Sequence, residues 1–301
     1  MQTSVIGYPR IGTLRELKFA SEKYFKKEIT AEELLQTGKS LRKTHWKTQK
    51  NAEIAYISSN DFSYYDILRD TAVLFNIIPG RYRELNLPEL DTYFAMARGY
   101  QGTSGDVKVL AMKKWFNTNY HYIVPEIEDD TEITFSGKKP FEEYNEAKLL
   151  GIETKPVIIG AYTLLKLCRY TGEKSIKDYV DAVVSAYQDF LKKCEENEIA
   201  WVQFDEPALV RDMDSEDTAL FCRLYKEILA VKKKSHVLLQ TYFGDIRDIY
   251  TEVIKMPFDG IGLDFIEGKE TDSLIEKYGF PQDKLLFVQN IFGKIVDSYV
   301  A

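Results

Sequence analysis

A chain of 301 residues, 45% hydrophobic and 29% charged, carries enough apolar content to fill a core. Its formal charge of −7 excludes the broad basic face that a nucleic-acid or membrane-surface partner needs, though not a local basic cluster for a small anion. Cys168, Cys194 and Cys222 are odd in number and free of any C-x-x-C pairing; with no signal-like start and no spanning stretch, they fit buried thiols in a cytoplasmic protein.

Short apolar, β-branched segments alternate with longer amphipathic ones. Residues 4–7 open the series as a strand, followed by the loop Gly7-Tyr8-Pro9-Arg10-Ile11-Gly12. Leu14, Leu17, Ser21, Tyr24 and Phe25 then recur at helical spacing. Residues 54–58 are the second strand; residues 99–107 read as a flexible loop. Residues 109–116 are the third strand, weakened by Lys113 and Lys114, and residues 126–140 read as an acidic excursion carrying a small hairpin. Strands at 157–160, 201–204, 237–243, 261–266 and 285–291 complete the set. Between two of them, Ile176, Tyr179, Val180, Val183, Val184 and Tyr187 mark a helix. Near-continuous apolar strands between amphipathic helices indicate a parallel sheet covered by helices. Eight candidates favour a closed (β/α)8 barrel, read as one domain over residues 1–301 because no linker divides the chain. Little sequence follows the last strand, so the final helix is expected to be short or missing, which hints at a chain that once continued further.

Three constellations could carry chemistry. Arg15 and Lys18, three apart on the first helical turn, could join Arg10 in gripping an anion with several carboxylates or phosphates. The plainer alternative pairs Lys18 with Glu22 on the helix surface. The run from Lys113 to Tyr122 sets lysines beside aromatics, Asn117, Asn119 and His121, which suits a planar heterocycle; the alternative is core packing with Asn-capped turns. Asp205 and Glu206 end an apolar strand, and strand alternation sends them to opposite faces, one toward the mouth and the other to a basic residue elsewhere. The three histidines and three cysteines share no ligand-like spacing, so no metal is expected in this chain.

These residues resemble the amino-terminal barrel of cobalamin-independent methionine synthases. That family opens with G-[FY]-P-R-[IV]-G and R-E-L-K, matched by Gly7 to Gly12 and by Arg15, Glu16, Leu17 and Lys18. Arg42, His45, Trp46 and Gln49 match R-x-x-H-W-x-x-Q; Lys114 to Glu126 match K-W-F-[ND]-T-N-Y-H-Y-x-V-P-E; Trp201 to Leu209 match W-V-Q-x-D-E-P-A-L. The resemblance implies a methyltransferase of methionine biosynthesis that moves a methyl group from 5-methyltetrahydropteroyltriglutamate to homocysteine. It implies that Arg15, Glu16, Leu17, Lys18 and Lys114 contact the folate, chiefly its polyglutamate tail. The wider ligand face is expected to include Arg10, Asn117, Asn119, His121, Asp205 and Glu206. Zinc belongs to the family's carboxyl-terminal barrel, which this chain lacks and which would have to be supplied in cis or in trans. Where the zinc barrel carries H-x-C, this chain has Gln240 and Tyr242. Two departures stand out: Ala161 replaces a proline, and Gly293 to Asp297 replace G-R-N-x-W. The resemblance thus implies a folate-binding half without autonomous activity; the alternative is a non-catalytic polyglutamyl-folate-binding module or scaffold remnant.

Overall fold

A computed structural model describes residues 2–289. Helices α1 (Glu16–Phe25) and α2 (Ala31–Asn51) precede the first sheet strand, β1 (Ile57–Ser59). Thr30 and Glu33 satisfy each other's backbone N–H in a capping box, which fixes where α2 starts. Helices α3 (Ile67–Leu74), α4 (Gly80–Arg83) and α5 (Glu89–Arg98) follow. Two antiparallel hairpins come next, β2 (Tyr100–Gly102) with β3 (Gly105–Val107) and β4 (Met112–Lys114) with β5 (His121–Ile123). After β6 (Glu126–Ile127) come α6 (Lys139–Lys148), β7 (Thr154–Ile159), α7 (Ala161–Leu167) and β8 (Arg169–Tyr170), which pairs in parallel with β6. Strands and helices then alternate: α8 (Val180–Glu196), β9 (Trp201–Asp205), α9 (Ser215–Ile228), β10 (His236–Gln240), α10 (Tyr250–Val253), β11 (Gly260–Asp264), α11 (Thr271–Tyr278) and β12 (Leu285–Gln289).

Among the described residues six strands form one all-parallel sheet in the order β1, β7, β9, β10, β11, β12. The segment expected as the opening strand joins β1 through a single bridge, Ser4 to Tyr56. The sheet curls. The Tyr56 ring, beside β1 at one edge, lies 5.1 Å from that of Phe287 on β12 at the other, and Trp201 of the central β9 stands 5.9 Å from Phe287. All six residues of β7 are buried, as a strand covered on both faces must be. On the outer side α8 sends Val183, Tyr187, Phe190 and Leu191 inward at helical spacing, and the Tyr187 hydroxyl donates to the Ile159 carbonyl at 2.6 Å. Burying each of these large side chains contributes roughly 1.5–3 kcal/mol.

Among the described residues the parallel sheet has six strands against the eight of the sequence reading, and the physical reason lies in residues 109–116. Met112, Lys113 and Lys114 are all exposed and pair antiparallel with β5, outside the sheet, because a strand carrying two lysines has no apolar pair of faces to bury. Residues 99–107 form the β2–β3 hairpin instead of an open loop; Gly99, at positive φ, ends α5 ahead of it, and Gly105, also at positive φ, closes its turn. The excursion at 126–140 carries no hairpin among the described residues; its strand pairs forward to β8. The expected helix at 176–187 begins as a 3₁₀ turn (Ile176–Tyr179) before α8. Residues 290 and 291 of the last strand, the final helix and the 293–297 departure lie outside the described residues.

Polar side chains hold the opening segment where the ladder does not. Lys155 of β7 points into the concave side, where its Nζ donates to the Val5 carbonyl at 2.8 Å and to Gln203 Oε1. Gln203 Nε2 donates in turn to the Ile6 carbonyl at 3.1 Å and to Asp205 Oδ1 at 2.7 Å.

Candidate functional site

A cavity of about 340 Å³ opens beyond the carboxyl ends of the strands, the place where a parallel sheet presents ligand-binding loops. Asp61 after β1, Asp205 of β9, Tyr242 after β10, Asp264 of β11 and Gln289 of β12 all line it. The opening loop adds Tyr8, Pro9 and Arg10, and the β4–β5 turn adds Trp115, Asn117 and His121.

Residues 61–66 moor both of these segments. Asp61 Oδ2 accepts from the Tyr8 N–H at 2.6 Å and from Ser58 Oγ at 2.8 Å, while Arg10 Nη1 donates to the Ser63 carbonyl at 3.0 Å. Asp66 caps α3 through the Arg69 N–H at 2.8 Å, and its other oxygen accepts from the Ile123 N–H of β5 at 3.1 Å. Burial holds the Asp66 carboxyl above the usual carboxylate range. The turn of the hairpin is held by aromatic contact: Phe116 stacks on Phe243 at 5.5 Å between ring centres, with the Arg211 guanidinium 4.6 Å above the Phe116 ring. Both phenylalanines have positive φ, 52° and 77°, a conformation that costs a bulky residue roughly 1–3 kcal/mol and that the stacked contact, at about 0.5–1.5 kcal/mol, offsets in part.

The expected folate contacts fall around this mouth, not inside it. Arg15, at φ 61° just ahead of α1, and exposed Lys18 do not line the cavity. Neither makes an ion pair among the described residues, so the expected alternative of a Lys18–Glu22 pair is not present. Glu16 turns back to accept the Leu14 N–H at 3.0 Å, and Leu17 is buried with Leu34 and Leu41. Lys114 stands directly across the ribbon from His121, so the two share a face. It is exposed and likewise without an ion pair among the described residues. Asn119 is exposed and off the cavity lining.

Strand alternation separates the two acids at the end of β9. Asp205 sits on the cavity floor, accepting from Gln203 and from the Tyr242 hydroxyl at 3.1 Å. Burial pushes its carboxyl up and the Lys155 ammonium beneath it down, so each favours its neutral form more than it would in water. Glu206 is turned away to the start of α7 and, contrary to the sequence reading, pairs with no base among the described residues. Its oxygens accept the Tyr162 N–H at 2.9 Å, the Thr163 N–H at 2.7 Å and the Tyr225 hydroxyl. Burial pushes Glu206 up to about 7, although these donors favour the carboxylate.

The second family-like motif is mechanical. Arg42 forms a fork onto Glu146 at 2.8 and 3.0 Å, fastening α2 to α6. Trp46 Nε1 donates to the Ser58 carbonyl at 3.0 Å, and His45 stacks on Tyr8 at 4.5 Å, with burial lowering its pKa. Gln240 Nε2 donates to the Thr241 carbonyl, and Tyr242 is committed to Asp205, so this pair does not offer the donor set of a zinc site. Among the described residues no three His, Cys, Asp or Glu side chains gather as metal ligands. Burial raises the pKa of all three cysteine thiols, which disfavours the thiolate form. Sequence reasoning missed Tyr8, Asp61, Tyr65, Asp66 and Asp264 as lining residues, and no spacing singled out the three aspartates.

The cobalamin-independent synthase N-terminal domain family matches residues 2–297. The 5-methyltetrahydropteroyltriglutamate–homocysteine methyltransferase of Campylobacter jejuni subsp. doylei is 54% identical over 294 residues, covering 98% of this chain and 39% of the relative. The enzyme of the same name from Streptococcus suis shows the same identity and coverage. The chain thus spans about 39% of the length of these curated relatives. Among solved structures, a putative vitamin-B12 independent methionine synthase from Listeria monocytogenes superposes with a TM-score of 0.64 at 15% identity, over 99% of this chain and 83% of that one. A B12-independent methionine synthase from Shewanella, in complex with selenomethionine, gives 0.61 at 14% identity, over 86% of this chain and 72% of that one. At such identities the two structures show the fold alone.

Proposed function

The chain belongs to the cobalamin-independent methionine synthase family, matching its amino-terminal domain, and from that premise we propose that it is the folate-side half of a cytoplasmic methyltransferase of methionine biosynthesis. In this reading residues 1–301 are one domain. The polyglutamate tail of 5-methyltetrahydropteroyltriglutamate lies along the rim, on Arg15, Lys18 and Lys114. The methyl group passes to homocysteine at a zinc-bearing carboxyl-terminal barrel, supplied by a longer chain or a separate subunit. No step is assigned to a metal held by this chain. Closure of the sheet into the (β/α)8 barrel is part of the reading, and the approach of Tyr56 to Phe287 supports it.

One observation carries the assignment most: Lys18 and Lys114 are exposed, Arg15 is half-buried, and none of the three makes an ion pair among the described residues. Each also belongs to a segment that lines the mouth, through Arg10 in one case and His121 in the other. An unpaired surface cation keeps its full charge for an incoming carboxylate. His121 and Asn117 line the mouth and add hydrogen-bonding groups beside the tail, with Asn119 on the same turn.

Calorimetry with the triglutamyl methyl donor should show saturable binding. Lys18→Ala and Lys114→Ala should each cost about 1.5–3 kcal/mol, roughly 10- to 150-fold in affinity, if the contacts are charge-assisted. Affinity unchanged by both substitutions overturns the rim assignment. Methionine should form when a carboxyl-terminal barrel, zinc, homocysteine and the methyl donor are added, and not with this chain alone. Binding without turnover in the complete mixture would favour a non-catalytic folate-binding module.

A further inference from the structure

The rim is cationic, but the cavity it surrounds has the opposite character. Five carboxylates line it among the described residues, Asp61, Asp66, Asp205, Asp264 and Glu267, against one guanidinium, Arg10. Two of them are occupied by backbone. Asp66 holds the N–H groups of Arg69 and Ile123, and Asp264 holds those of Phe243, Ile266 and Glu267. Asp61 and Asp205 face the interior, Asp205 with one donor on each oxygen, Gln203 and the Tyr242 hydroxyl, and a second lone pair left on each. Asp205 lies on the floor at 2% exposure, and Asp61 uses Oδ2 for Tyr8 and Ser58 while its Oδ1 accepts no hydrogen bond from the described residues. Rings from three separate segments form the walls: Tyr65 after β1, Trp115 and Tyr122 of the hairpin, and Tyr242 after β10.

We propose that this cavity binds a small planar organic cation of the amidinium or guanidinium type, its flat face on the aromatic walls and its N–H edge on Asp61 and Asp205. A delocalised planar cation sheds water at lower cost than an ammonium, presents a fork that matches a carboxylate, and is attracted to ring faces. A polycarboxylate would meet like charge there. The cavity volume suits a molecule of this size. This site is separate from the rim assigned to the methyl donor and stands or falls without it.

The test is calorimetric titration of the full chain with p-aminobenzamidine. Saturable binding at one site is expected, weakened at least tenfold by Asp61→Asn. Trp115→Leu, which removes a wall without altering charge, should weaken it as well; thermal melts confirm that each variant is folded. Benzamide, a neutral near-isostere, should bind at least tenfold more weakly than benzamidine. The proposal is overturned by absence of saturable binding, by equal affinity in both folded variants, by equal affinity for benzamide, or by displacement with a triglutamate peptide. None of these results touches the Lys18→Ala and Lys114→Ala readouts on the triglutamyl methyl donor, so the two readings fail separately.

Discussion

Lys155→Ala is expected to destabilise the folded chain by about 3–5 kcal/mol, because removing one partner of a buried ionic network strands the others. Lys155 is 2% exposed, and its ammonium bonds the Val5 carbonyl and Gln203, next to the Asp205 carboxylate. Without it, Asp205 has no compensating charge nearby and the opening segment loses one of the two side-chain ties that fix residues 5 and 6. Denaturant unfolding of the variant should show a lowered midpoint with little change in slope. Lys155→Met with Asp205→Asn, which removes both charges, should recover most of the loss. A single alanine variant within about 0.5 kcal/mol of the parent would show that the network is solvated and not buried.

The second large effect concerns Glu206. Replacing it with alanine leaves two amide N–H groups of α7 and the Tyr225 hydroxyl without an acceptor in a buried site, at a cost of about 3 kcal/mol. The pH dependence has a definite sign. Burial raises the folded-state value from 4.5 to about 7, so between these limits the folded chain binds a proton that the unfolded chain has released. The contribution of this group is therefore fully present below about pH 4.5 and is lost as pH rises toward about 7. Glu206→Gln should flatten that part of the stability profile. Identical slopes for parent and variant across pH 4.5–7 would refute the assignment.

The sequence made the parallel sheet readable because its inner strands are buried on both faces and so lack the alternation of a half-exposed strand. It also predicted that Asp205 and Glu206 would diverge, which follows from the two-residue period of a strand. The β4–β5 ribbon was misplaced for a related reason. Aromatics that pack on the mouth from outside look, by composition, like aromatics that fill a barrel. Lone aspartates such as Asp61 and Asp264 carry no spacing signature at all. Their roles depend on which backbone N–H groups the fold brings within 3 Å, and that is settled by topology. The R-x-x-H-W-x-x-Q motif shows the converse, a clear pattern whose residues hold α2 in place and do not touch the cavity.

The stretch from Asp61 to Asp66 is formally a loop, the kind of segment in which insertions are usually tolerated. Here it is the common mooring of the Tyr8–Arg10 loop and of the hairpin that carries Lys114. Adding or deleting a single residue would shift both moorings against each other, so the spacing of this loop is as inflexible in length as that of a strand. Drift in this protein should accordingly show as changes of side chain between these positions, never as changes in their number.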